Sequence, residues 1–212
     1  MSRPYCRVIA AFILSAVSAS QPLQAYSVLA HESTIDAAWD NGIAPVLRAR
    51  FPDARPEELT AARAYAYGGC VIQDLGYYPF GSRFVSDLLH YVRTGDFVVT
   101  LIQQARDVNE VAFALVALAH YAADTNGHSI AVNRSVAIIY PKLRAKYGDL
   151  VTFADSPSRH IMVEFSFDVV QAATGRYAPD AYHKFIGFEV AKGTLERAFR
   201  TCRHDISLGL FA

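Results

Sequence analysis

Cysteine is scarce in this chain: three in 212 residues, at Cys6, Cys70 and Cys202, with no CxxC pair. That leaves a cysteine zinc site unsupported. A single bridge between Cys70 and Cys202 stays open. Net charge is also lacking, because 20 basic residues balance 20 acidic ones. The sequence therefore makes no electrostatic case for a stable nucleic-acid partner or an acidic membrane. There is no internal repeat, and no linker rich in Gly, Pro or Ser. Strand-like alternation is rare, and only "DFVVTLI" from Asp96 is ambiguous. Past the first 25 residues no apolar run reaches the roughly 18 residues of a membrane span, since His120 interrupts the best candidate. What remains is a chain with 52% hydrophobic residues, far too apolar for disorder.

The N-terminus reads as an export signal. Arg3 and Arg7 precede the apolar run "VIAAFILSAVSAS", and "LQA" ending at Ala25 offers small residues for cleavage. The expectation is a signal peptide over residues 1–25, a mature start at Tyr26, and a periplasmic or secreted protein with no transmembrane helix after cleavage. Helix signals then recur. Pro56 stands at a first helical position with Glu57 and Glu58 behind it. Asp107 and Glu110 have capping-box spacing. Ser156 and Pro157 open a run that Gly175 should stop. Another amphipathic run covers residues 178–200, weakened by Gly187 and Gly193. The closing "TCRHDISLGLFA" shows no clear amphipathic pattern. The expected fold is an all-α, compact multi-helix domain over residues 26–212, with seven or eight helices.

The polar residues inside these apolar helices pose the functional question. "VAFALVALAHYAAD" carries His120 and Asp124, about 40° apart on one helix face. His128 follows after Asn126 and Gly127, which suggest that it sits on the exit from the helix. "RHIMVEF" repeats the spacing with His160 and Glu164. A buried carboxylate or imidazole without a partner is costly, so something must satisfy these groups. His31, His90 and Asp74 also lie among apolar neighbours. Taken singly, each histidine is readily explained as a core residue bonded to a backbone carbonyl. Taken together, imidazoles and carboxylates without thiolates suit zinc at a catalytic site.

The segments "YSVLAHE", "QDLGYYPFGS", "SDLLHYV", "HYAADTNGH" and "HIMVE" resemble, in that order, elements of the zinc-dependent phospholipase C family. That family shares its fold and metal centre with fungal single-strand nucleases. The resemblance runs from Tyr26 to about Phe199 and implies an all-α fold with three zinc ions in a cleft. By position, Asp74, His90, His120 and Asp124 would hold one ion, and His128, His160 and Glu164 a second. Asp124 would bridge to a third, bound also by His31 and by the amino nitrogen and carbonyl oxygen of Tyr26. Asp74 would orient the attacking water or act as base.

Three departures stand out: Tyr26 where the family has Trp, three residues instead of five between Asp124 and His128, and the unusual C-terminus. The implied activity is phosphodiester hydrolysis by in-line attack at phosphorus. Phospholipid is the favoured substrate, with transient contact at a membrane surface. A single-strand nuclease of the same fold and a non-catalytic metal-binding protein are the alternatives. Tyr77, Tyr78 and Phe80 would wall a quaternary ammonium headgroup, stack on bases, or simply pack under a loop.

Overall fold

A computed structural model describes residues 28–174 and 187–209, with side chains through Cys202. The proposed leader, Tyr26 and His183 lie outside the described residues. The fold is all-α, with ten α-helices and no strand among the described residues. In chain order the helices are α1 Val28–Ala38, α2 Ala44–Arg50, α3 Pro56–Val71, α4 Arg83–Asp87, α5 Thr94–Gln104, α6 Val108–Gly127, α7 Asn133–Ile139, α8 Pro141–Tyr147, α9 Pro157–Ala173 and α10 Lys192–Gly209. Single π turns follow α1, α4 and α6, at Trp39–Ile43, Leu88–Val92 and His128–Val132. These turns divide long helical stretches, which is why the helix number exceeds the seven or eight expected.

The described residues divide into two compact units, one from residues 28–42 and 123–174, the other from residues 43–122 and 187–209. In the first, α9 packs against α1 and α7. Its core gathers Val132, Val136, Ala137, Val151 and Val163, with Tyr140, Leu143 and Phe167 packed on it. Asn133 also takes the Val151 N–H on its carbonyl at 3.0 Å, closing the loop before α9.

In the second unit the apolar run of α6 is buried from Val111 to Ala117, as its composition demands. Helix α3 lies against it at Gly69, where a Cβ would fall 2.2 Å from the Phe113 carbonyl oxygen. Gly68 gives the extended segment 187–191 the same access, since a Cβ there would sit 1.9 Å from the Glu189 oxygen. These contacts fix the end of α3, whose carbonyls matter below. "DFVVTLI" resolves as helix α5. Phe97, Val98 and Leu101 are buried at helical spacing, so tertiary packing overrides β-branched propensity.

The C-terminal half differs from expectation in two ways. Of the run expected over residues 178–200, residues 178–186 lie outside the described residues; Gly187 takes φ +96°, residues 187–191 are not helical, and helix α10 begins at Lys192. The tail then continues α10 to Gly209, although its sequence gave no clear helical pattern. Leu195, Ala198, Phe199 and Cys202 share one face at spacings of three and four. The Phe199 ring meets Phe97 of α5 at 5.4 Å. Cys70 and Cys202 are both free thiols. The bridge left open by the sequence is not formed.

A clamp ties α10 to α6. Arg197 Nη2 donates to both carboxylate oxygens of Glu110 at 2.7 Å and to the Gln104 carbonyl at 3.0 Å. Burial alone would raise the Glu110 pKa. Hydrogen bonds from Arg197, Thr194 and the Arg106 backbone outweigh it and hold the carboxyl below its ordinary 4.5. A depressed carboxyl stabilises the fold above its unfolded pKa, and that contribution vanishes as pH falls through the folded value. Glu110→Gln should therefore cost about 1.5–3 kcal/mol at neutral pH. Thermal melts of both proteins should converge as pH falls through the folded carboxyl's lowered pKa.

A candidate metal centre

Within the second unit, three side chains converge. Asp74 lies just past the end of α3, His90 sits in the middle of the π turn that follows α4, and His120 is on α6. Their ligand atoms all lie within 4.8 Å of one another. His120 Nδ1–H donates to the Cys70 carbonyl at 2.6 Å, and His90 Nδ1–H donates to the Ser86 carbonyl at 2.8 Å. A nitrogen facing a carbonyl must carry the proton, so both rings present Nε2 as a lone pair. Those two Nε2 atoms aim at one oxygen, Asp74 Oδ1, at 3.1 Å from His90 and 3.9 Å from His120.

Ser86, which the sequence reading passed over, holds this arrangement together. Its hydroxyl donates to the Gln73 carbonyl and accepts from the Gly76 N–H. Its own carbonyl orients His90. Asp74 is thereby held on both sides of its turn. Gly76 and Gly81 allow that turn to close, since a Cβ on Gly81 would lie 2.1 Å from the Leu75 oxygen.

The first unit holds a second group. Asp124, one helical turn beyond His120 on α6, brings Oδ1 to 3.4 Å from His31 Nε2 and 3.5 Å from His128 Nε2. His128 Nδ1 in turn lies 3.4 Å from Glu164 Oε1, which is 2.9 Å from His160 Nδ1. The His128 and His160 rings stack at 5.1 Å.

The expected exit of the chain at Asn126 and Gly127 does not occur. Gly127 keeps helical angles, and Ser129 Oγ donates to the carbonyls of Thr125 and Asn126, so the helix passes straight into the π turn. The shortened spacing thus puts His128 one turn after Asp124 and beside His160. His128→Ala should lower zinc occupancy and turnover while leaving helical circular dichroism nearly unchanged. Unchanged zinc content would remove His128 from the assignment.

His160 supplies the clearest sign that the donors suit a cation. It is fully buried, and its Nε2–H donates to Asn133 Oδ1 at 2.9 Å. Its Nδ1 then faces the Glu164 carboxylate with no hydrogen bond made there. Two acceptors this close, one of them fully buried, call for a positive charge between them. Tetrahedral zinc, with bonds of about 2.0–2.1 Å, places neighbouring ligand atoms about 3.3 Å apart. The donor separations here run from 2.9 to 3.9 Å. Nitrogen and carboxylate donors without thiolate match zinc at a catalytic site. The residues present fit the metal.

The aromatic segment after Asp74 is mixed. The Tyr77 ring lies 5.5 Å from that of His90, and its hydroxyl donates to Asp87 Oδ1 at 3.0 Å. Burial, with Tyr91, Asp87 and Asp74 adding to it, pushes the Tyr77 pKa far above the ordinary tyrosine range. Tyr77 thus keeps a neutral phenol. Tyr78 is half-exposed, and Phe80 projects fully into solvent from a backbone at φ +71°.

A family model described as zinc dependent phospholipase C matches residues 30–202. This chain belongs to that family. The match spans every donor described above, from His31 to Glu164. Membership supports a phospholipase C-like function and a zinc cofactor, in keeping with the donor chemistry. No curated protein and no solved structure matched the chain. Among the described residues, no helix is long and apolar enough to cross a membrane.

Proposed function

We propose that the chain is an exported, zinc-dependent phosphodiester hydrolase that cleaves phospholipid on the phosphate side of glycerol, as a phospholipase C does. The observation that carries this reading is the convergence of two tautomer-fixed imidazoles on one oxygen of Asp74. In the proposed assignment Asp74, His90, His120 and Asp124 would hold one ion, and His128, His160 and Glu164 a second. His31 and Asp124 would hold a third, with the main-chain nitrogen and oxygen of Tyr26. Zinc, when bound, lowers the pKa of a coordinated water toward neutrality and offsets charge on the phosphoryl oxygens.

The protein's own groups do the rest. Asp74 is buried enough to be held, yet its 22% side-chain exposure leaves an edge open to water. Its carboxylate aligns the attacking water and accepts its proton. His90 and His120 are locked by the Ser86 and Cys70 carbonyls, so they cannot turn away as charge develops. Tyr77, neutral and beside His90, offers a ring face to the substrate headgroup.

The test is a side-by-side assay of the mature protein on phosphatidylcholine, single-stranded DNA and bis(p-nitrophenyl) phosphate. Turnover of the lipid well above the DNA supports the reading. Preferential cleavage of DNA would move the protein to the nuclease alternative. No turnover of any substrate at full zinc loading would leave a binding protein. Export is tested separately, by sequencing the N-terminus of the protein recovered outside the cytoplasm: a start at Tyr26 is expected.

A further inference from the structure

The segment "HIMVEFSFD" continues the row of His160 and Glu164 by one more turn, to Asp168, at 8% exposure one of the few buried carboxylates. Its side chain does not face solvent and is not among the grouped metal donors. Asp168 Oδ2 accepts the Leu29 N–H and Oδ1 accepts the Ala30 N–H, each at 3.3 Å. Leu29 and Ala30 are the second and third residues of α1, and His31 is the next.

The first turn of any helix leaves N–H groups without internal partners, and a side chain just before the helix usually takes those of the second and third residues. Here a carboxylate from α9, more than 130 residues further on, takes both. Its negative charge also complements the positive end of the α1 dipole. Two bonds to adjacent amides fix the rotation of α1 about its axis as well as its position. That rotation decides where the next residue points, and His31 Nε2 points at Asp124 Oδ1, 3.4 Å away.

We infer that Asp168 is a positioning residue for the His31–Asp124 zinc site. It anchors the first turn of α1 to the helix that carries His160 and Glu164, and so sets His31 at coordination distance. The inference rests on the proposed zinc assignment. The row His160, Glu164, Asp168 then has a division of labour along one face of α9: two residues hold metal, and the third holds the backbone that presents another ligand. Partners one step removed from a metal typically change its affinity by about 10–100-fold.

Asp168→Asn tests this. The amide keeps the size of the side chain but loses its charge and turns one acceptor into a donor that faces an N–H. Hydrogen exchange of the metal-free protein should show α1 amides exchanging at least tenfold faster while α9 amides are unchanged. Zinc titration should show one ion per chain weakened by about 10–100-fold, with the others bound as in the wild type. His31→Ala should lose the same ion without loosening α1, which separates the anchor from the ligand. If Asp168→Asn loses its helical circular dichroism, Asp168→Glu serves instead. It keeps the charge but displaces it by one methylene, and an intermediate loss of the same ion is expected. Unchanged α1 exchange, or wild-type affinity for every ion, in the folded variant would overturn the proposal. Fewer than three zinc ions in the wild type would count against the zinc assignment instead, while the exchange result would still report on the anchor.

Discussion

Asp124→Asn should strip more metal from this protein than any other single substitution. The Asp124 carboxylate lies between His31 and His128, at 3.4 and 3.5 Å, and is one turn from His120 on α6. An amide oxygen is a far weaker zinc ligand and carries no charge. The variant should keep one zinc ion or fewer per chain, and turnover should fall by more than 100-fold. That exceeds the range typical of groups one step removed from a metal. Melting of the metal-free protein should change little, because the substitution is nearly isosteric and removes a negative charge near Glu164. His183→Ala, at a histidine with no assigned ligand role, should keep both zinc and turnover. Equal loss in both variants would show that the zinc loss is not specific to the proposed site.

Chelation should have the second large effect. Glu164 lies 2.9 Å from His160 Nδ1, and Asp74 lies beside the imidazoles of His90 and His120, so bound cations would offset the charge these donors bring together. Each ion bound at a thousand times its dissociation constant adds about 4 kcal/mol to stability. For a chain of this size that corresponds to roughly 8–16 °C in melting temperature per ion. Treatment with a chelator should abolish turnover and lower the melting temperature by at least about 10 °C, and added zinc should restore both. Lost activity with unchanged melting would mean that the metal does not support the fold.

The helix pairs were legible because their physics is local. His120 with Asp124, and His160 with Glu164, each lie four residues apart in apolar runs, and a helix makes such pairs neighbours. The π turns were not legible. No residue pattern marks an i→i+5 turn, yet His90 sits within one and His128 begins another. The position of His128 was misread for that reason: Asn126 and Gly127 are common at helix ends, but here Ser129 supports continued winding. Asn133 and Ser86 were invisible because their partners are 27 and 13 residues away in sequence. Asp168 is different. It continues the HxxxE spacing by four more residues, and extending the row one turn would have found it. The non-helical stretch 187–191 begins at the positive φ of Gly187, which a glycine permits but does not announce.

The central claim is a set of zinc ions held by these imidazoles and carboxylates, and metal content tests it most directly. Native mass spectrometry of the protein starting at Tyr26, purified with zinc present, should show about three zinc ions per chain. One of them should be missing from protein that retains residues 1–25, where the Tyr26 nitrogen is a peptide amide. A single tightly held ion, or no zinc at all in a folded protein, would contradict the account.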